Sequence, residues 1–324
     1  MDCAVVPTRH AGYSLITTTD FFYPLVEDPY DQGKIGCANV LSDLYAMGVT
    51  ECDTVLMILA CSTEMTSDER DVVTELMIRG FDDQCNIAGT SVTGGQTVLN
   101  PWPIIGGVAE SVCKDDEFIT PDAAAVGDVL VLTKPLGTQV AVNVRQWHRD
   151  SQKTGEARAK VCSSHFTLWD KCVDKLDFTE KDVNAAYATA VESMSRLNRN
   201  GARMMIKYNC HGATDVTGFG YLGHAINLVD NQKEVVSFKL HTLPIIAKMD
   251  LVNKEVLNFN LMTGYSAETS GGLLCILPKE NASKFIEELK ELDGQDAWVV
   301  GEVVESTNGK RNAYIVDEPT IIHV

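Results

Sequence analysis

Residues 37–48, CANVLSDLYAMG, read as an apolar helix that the fold must bury, yet Asp43 stands between Leu41 and Leu44. Aspartate is disfavoured in mid-helix, and a buried carboxylate is costly unless a cation or hydrogen-bond donors meet it. No Lys or Arg lies within one helical turn of Asp43. A hard cation is its natural partner. A second acid, Asp215, stands in a similar setting in GATDVTGFGYLGH, residues 212–224.

The chain has 324 residues, 45% hydrophobic and 22% charged, which suggests two globular domains. No apolar run approaches the roughly 18 residues of a membrane span, and residues 1–20 show no secretory pattern. The ten cysteines are scattered without a C-x-x-C pair, as expected of reduced thiols in a cytoplasmic protein. The seven histidines are isolated too. A net charge of −18 argues against nucleic acid and anionic membrane as partners.

Residues 14–19 predict a strand running into Asp20, followed by an aromatic, proline-broken loop, FFYPLVEDPYDQG. A helix is expected over 34–47, stopped by Gly48, with Asn39 and Asp43 on one face. TVLMILA (54–60) predicts a buried strand. Thr66 and Glu69 form a capping box, and Gly80 is expected near that helix's end. The glycines and prolines of residues 90–103 predict irregular structure, and 104–112 a strand. The composition turns polar near residue 114, giving domains 1–116 and 117–324. DVLVLT (128–133) opens the second set of elements. Residues 145–182 lack a clean period and read as an exposed insertion. A helix then runs from Thr179 towards Asn200, another covers about 282–292, and GGLLCILP and AWVVGEVV close the chain as strands. Without strict β-α alternation the class is α+β.

GFGYLG (218–223) matches G-x-G-x-x-G, but the polar HGATDVT before it rejects a dinucleotide turn. Its glycines instead let the Asp215 loop run close to another group before a helix starts near Tyr221. Gly94, Gly95, Gln96 and Thr97 sit in TGGQT, which on its own reads as a glycine turn before an anion-holding nest. Asp2, Asp20, Asp43 and Asp215 are candidates for one cluster; turn and capping work is the ordinary reading of Asp2 and Asp20. Scattered aspartates beside a glycine-rich segment suit Mg²⁺ and a nucleotide.

TTDFFYPLVEDPYDQGKIGCANVLSDLYAMGVTECD (18–53), AGTSVTGGQTVLNPWPIIGGVA (88–109) and ATDVTGFGYLGHA (213–225) closely resemble the selenophosphate synthetases, or selenide, water dikinases. The resemblance implies the two-domain α+β fold of aminoimidazole ribonucleotide synthetase (PurM-like), dimerising through a β-barrel-like interface of the N-terminal domains. It implies ATP and Mg²⁺ as cofactors, selenide as substrate, and selenophosphate, AMP and orthophosphate as products. Proteins of selenocysteine synthesis are implied partners. By motif, Asp2, Asp43 and Asp215 resemble metal ligands, while Thr18, Asp20, Asn39 and Asp43 resemble nucleotide contacts. Gly94, Gly95, Gln96 and Thr97 resemble a loop reaching the nucleotide across the dimer. The family's Cys or selenocysteine and its lysine precede the first aspartate. No catalytic residue is therefore expected within this chain, and its turnover is expected to be impaired. Alternatives are another ATP-using member of the superfamily and a catalytically silent paralogue.

Overall fold

The computed structural model describes all 324 residues. Its first part runs β1 (Ala4–Pro7), β2 (Tyr13–Phe22), α1 (Pro29–Ala46), β3 (Thr54–Ser62), α2 (Ser67–Ala88), β4 (Val92–Asn100) and β5 (Ile104–Lys114). These strands form one sheet in the order β1-β2-β5-β3-β4. All neighbours pair antiparallel except β3 and β4, which α2 connects in parallel.

The second part begins with β6 (Val129–Leu132), followed by α3 (Thr138–Ser151), α4 (Gly155–Ala159), α5 (Ser163–Leu176), α6 (Glu180–Ser195) and α7 (Arg199–Lys207). Then come β7 (Gly212–Asp215), α8 (Gly220–Asp230), β8 (Val236–Ile245), α9 (Met249–Glu255), β9 (Leu273–Leu277), α10 (Lys279–Asp293), β10 (Trp298–Glu305) and β11 (Asn312–His323). Its six-stranded sheet has the order β11-β8-β10-β6-β9-β7.

α1 is the axis of the first part. Asp28 caps it, its side chain accepting from the Tyr30 N–H, and Pro29 occupies its first turn. The helix buries most of its length from Gly33 to Ala46, so sequence periodicity is weak and residue type alone marks it as core. It crosses α2 with the backbones in contact: a Cβ on Gly33 would lie 2.1 Å from the Met77 carbonyl oxygen, and one on Gly80 1.9 Å from that of Tyr30. Gly80 is thus a crossing point within α2; the helix ends at Gly89, in the left-handed conformation.

Other expectations are corrected. Phe21 and Phe22 belong to β2, and α1 starts five residues earlier than expected, so the loop is short. Residues 92–100 form a strand, because parallel pairing with β3 supplies the order that their composition withholds. Residues 145–182 are helical, and Trp147, Cys172 and Phe178 are buried in the largest hydrophobic cluster. The helix capped by Thr179 stops at Ser195, and α7 begins separately at Arg199. Asp215 ends a strand rather than lying in a loop. No helix is long and apolar enough to cross a membrane.

Candidate active site

α1 carries Asn39, Ser42 and Asp43 past the ends of β2 and β7, and this placement builds a cavity of about 390 Å³. Asp2, Asp20, Asp43 and Asp215 line it, together with Thr217, Phe219 and His224. Asp2 precedes β1, Asp20 sits in β2 opposite Gly107, and Asp215 sits at the end of β7 opposite Leu273. Ligand oxygens of Asp2, Asp43 and Asp215 lie within 4.8 Å of one another.

Neutral donors hold these acids in place. Thr18 donates its hydroxyl to Asp43 Oδ2. Thr214 donates to Asp2 Oδ1 at 2.8 Å. Asn39 Nδ2 donates to Asp20 Oδ2 at 2.8 Å, and its Oδ1 accepts the Ser270 N–H at 2.9 Å. Ser42, which moderates the effect of burial on Asp215, accepts from Asn198 Nδ2 at 2.9 Å; Asn198 also donates to the Gly271 carbonyl at 2.8 Å. Lys134, the lysine whose charge acts on Asp215, gives its ammonium to the carbonyls of Arg196 and Ser270.

The acids are therefore left without a paired cation. Burial, then the Asp215 and Asp20 charges, push the Asp43 carboxyl well above the usual carboxylate range. Burial and the neighbouring Asp2 push Asp215 up to about 7. Burial raises Asp2 against its bond from Thr214, and raises Asp20 against its bond from Asn39. Asp215 Oδ2 is buried and has no hydrogen-bond partner. Three converging carboxylates cannot all ionise without positive charge between them, and three hard oxygen donors suit a divalent cation. Burial also raises the Cys3 thiol, with Asp43, Asp2 and Asp215 adding to the effect, so Cys3 is no thiolate.

The arrangement unites Asp2, Thr18, Asp20, Asn39, Asp43 and Asp215. It leaves Gly94, Gly95, Gln96 and Thr97 outside the cavity, on the exposed edge strand β4. Sequence reasoning missed Ser42, Asn198 and Thr214, whose partners lie far along the chain. A buried asparagine that occupies the cap position of α7 without capping it was the available signal, and it needs a structure to be seen.

Residues 1–129 match the AIR synthase related protein N-terminal domain, and residues 125–313 the corresponding C-terminal domain. Selenide, water dikinase 2 of Homo sapiens is 54% identical over 327 aligned positions, covering 100% of this chain and 68% of the relative. The selenide, water dikinase of Dictyostelium discoideum is 49% identical, covering 100% and 85%. The chain belongs to the selenide, water dikinase family. Solved structures share the family's fold at low identity. A thiamine monophosphate kinase from Aquifex aeolicus has a TM-score of 0.65 at 16% identity, covering 99% of this chain and 93% of its own. The hydrogenase maturation protein HypE of E. coli has a TM-score of 0.66 at 14% identity, covering 93% and 82%.

Proposed function

We propose that this selenide, water dikinase makes selenophosphate, AMP and orthophosphate from ATP, selenide and water, and that its product supplies selenocysteine synthesis. The observation that carries this reading is the convergence of Asp2, Asp43 and Asp215 in one cavity of a chain from this family. Three carboxylates suit Mg²⁺, which takes a few acids and completes its octahedron with water and phosphate oxygens. The unpartnered Asp215 Oδ2 supports the same assignment. When bound, the metal offsets triphosphate repulsion and stabilises the charge that develops in phosphoryl transfer.

The chain's own side chains position the metal and the nucleotide. Asp2, Asp43 and Asp215 would hold the metal. Asp20 lines the same cavity, and Thr18 and Asn39 would serve the nucleotide through Asp43 and Asp20, which they hydrogen-bond, with Asn39 also tying α1 to the loop around Ser270. The division into 1–116 and 117–324 places Asp2, Asp20 and Asp43 on one domain and Asp215 on the other, so the ligand sits between them. Gly94–Thr97 then reach the nucleotide of a second copy, in a homodimer joined through its N-terminal sheets; the exposure of β4 supports this. The ten free cysteines, nine of them buried, support a cytoplasmic location.

Asp43→Asn keeps the shape of the side chain and removes its charge. Calorimetric titration with Mg-ATP is expected to show affinity reduced about tenfold or more, a size typical of lost metal-site groups. Its thermal transition without metal should be no lower than the parent's. Equal Mg-ATP affinity in the two proteins would remove the acids from the metal site.

A further inference from the structure

On a chain of net charge −18, three arginines line a second cavity, of about 410 Å³, that shares no lining residue with the acid cavity. Arg196, Arg199 and Arg203 come from the α6–α7 junction and the face of α7, and Gln84 of α2 closes the opposite wall. Asp293 is the one carboxylate in the lining, and Asn200 Nδ2 holds it at 2.7 Å.

The arginines are unequally employed. Arg199 is committed to structure, donating to the Thr50 carbonyl at 2.8 Å and to Glu51 at 2.7 Å. Arg196 is only 13% exposed along its side chain, yet its contacts are slack: the Thr133 carbonyl at 3.4 Å and Glu192 at 3.8 Å. Its Nε is buried without a hydrogen-bond partner. Arg203 makes one bond, at 3.4 Å, to the neutral Asn200 Oδ1. The nearby Lys134 amine is spent on the Arg196 and Ser270 carbonyls and brings no acid. The first turn of α7 contributes in the same sense, because Asn198 leaves it without a side-chain cap. A half-paired guanidinium kept out of water is costly, and its planar fork fits phosphate oxygens.

We propose that this arginine-lined cavity is a binding site for a phosphate group, free or carried as a monoester, separate from the metal-dependent acid cavity. Arg196 and Arg203 supply the charged donors. Leu197 and the exposed Ile87 supply an apolar rim against which a carrier can lie. The two cavities differ in one decisive respect. The acid cavity repels an anion unless metal is present, whereas the arginine cavity attracts it without metal.

The experiment is calorimetric titration of the full chain in EDTA, with inorganic phosphate in one arm and AMP in the other, at matched ionic strength. Saturable binding of at least one probe is expected, weakened about tenfold or more (roughly 1.4 kcal/mol) by Arg203→Ala and by Arg196→Gln, and unchanged by Asp43→Asn. Arg203 is exposed, so its variant should fold as the parent does. Stronger binding of AMP would identify a nucleotide monoester as the natural carrier, and equal or weaker binding would identify the free anion. No saturable binding of either probe, or binding that survives Arg203→Ala at parental strength, would overturn the proposal. So would binding lost in Asp43→Asn but kept in Arg203→Ala.

Discussion

A carboxyl pushed up to about 7 keeps its proton in the fold long after the unfolded chain has lost it. Asp215 is such a group, with an ordinary value of 3.8 and burial as the main cause. Below about pH 4 both states are protonated and the residue has no effect on stability. As pH rises towards 7 the unfolded chain releases its proton first, and the metal-free fold loses stability; above 7 the loss is complete. Asp43, shifted in the same direction, adds to it. The Tm of EDTA-treated protein is therefore expected to fall between about pH 4 and pH 7, Mg²⁺ should restore more at pH 7 than at pH 5, and Asp215→Asn should flatten the slope. Identical pH profiles for parent and variant in EDTA would contradict this. Asp43 was legible in the sequence because a charged residue in an apolar helix is a local contradiction. Thr214 and Asn198 were not, since their partners lie 212 and 156 positions away and no local pattern records such pairs.

At the scale of elements, local hydrogen bonding was readable and close backbone approach was not. The capping boxes of Thr66 with Glu69 and Thr179 with Asp182 start α2 and α6 as expected, because every atom involved lies within four residues. Gly80 was misread as an end signal, since its reason is Tyr30 on another helix. β4 was missed because its glycines and flanking prolines suggest irregular backbone, whereas β3 imposes the strand from outside. Helix α5 hid within a charged stretch because Cys172 is its one buried residue. The crossing of α1 and α2 yields a direct expectation. In an isolated helix Gly80→Ala would gain up to about 1 kcal/mol, but here the added methyl group would collide with a carbonyl. Chemical denaturation should show a net loss of roughly 1–3 kcal/mol, in the range of overpacked cores. Unchanged or increased stability would show that the two helices can part without cost.

At the scale of the molecule, the two-sheet α+β architecture could be anticipated from family motifs, while the strand order could not, because pairing between distant strands leaves no periodic trace. The first sheet ends in β4, which exposes Val98 and Leu99 at 50% and 66%. An unpaired edge of this kind invites a second copy. Light scattering of the parent is expected to give twice the chain mass, and Leu99→Glu to shift the protein towards monomer with weaker nucleotide binding. A monomeric parent that binds nucleotide at full strength would show that residues 94–97 serve no partner.

The opposite border of that sheet is β1, four residues long and mostly exposed, and Asp2 stands just ahead of it. An ion held jointly by residues 2, 43 and 215 would tie this edge ribbon to β7 in the second sheet. Peeling away this short ribbon would withdraw one of three claws without disturbing the core. Exchange of such an ion would then depend on how often β1 parts from β2.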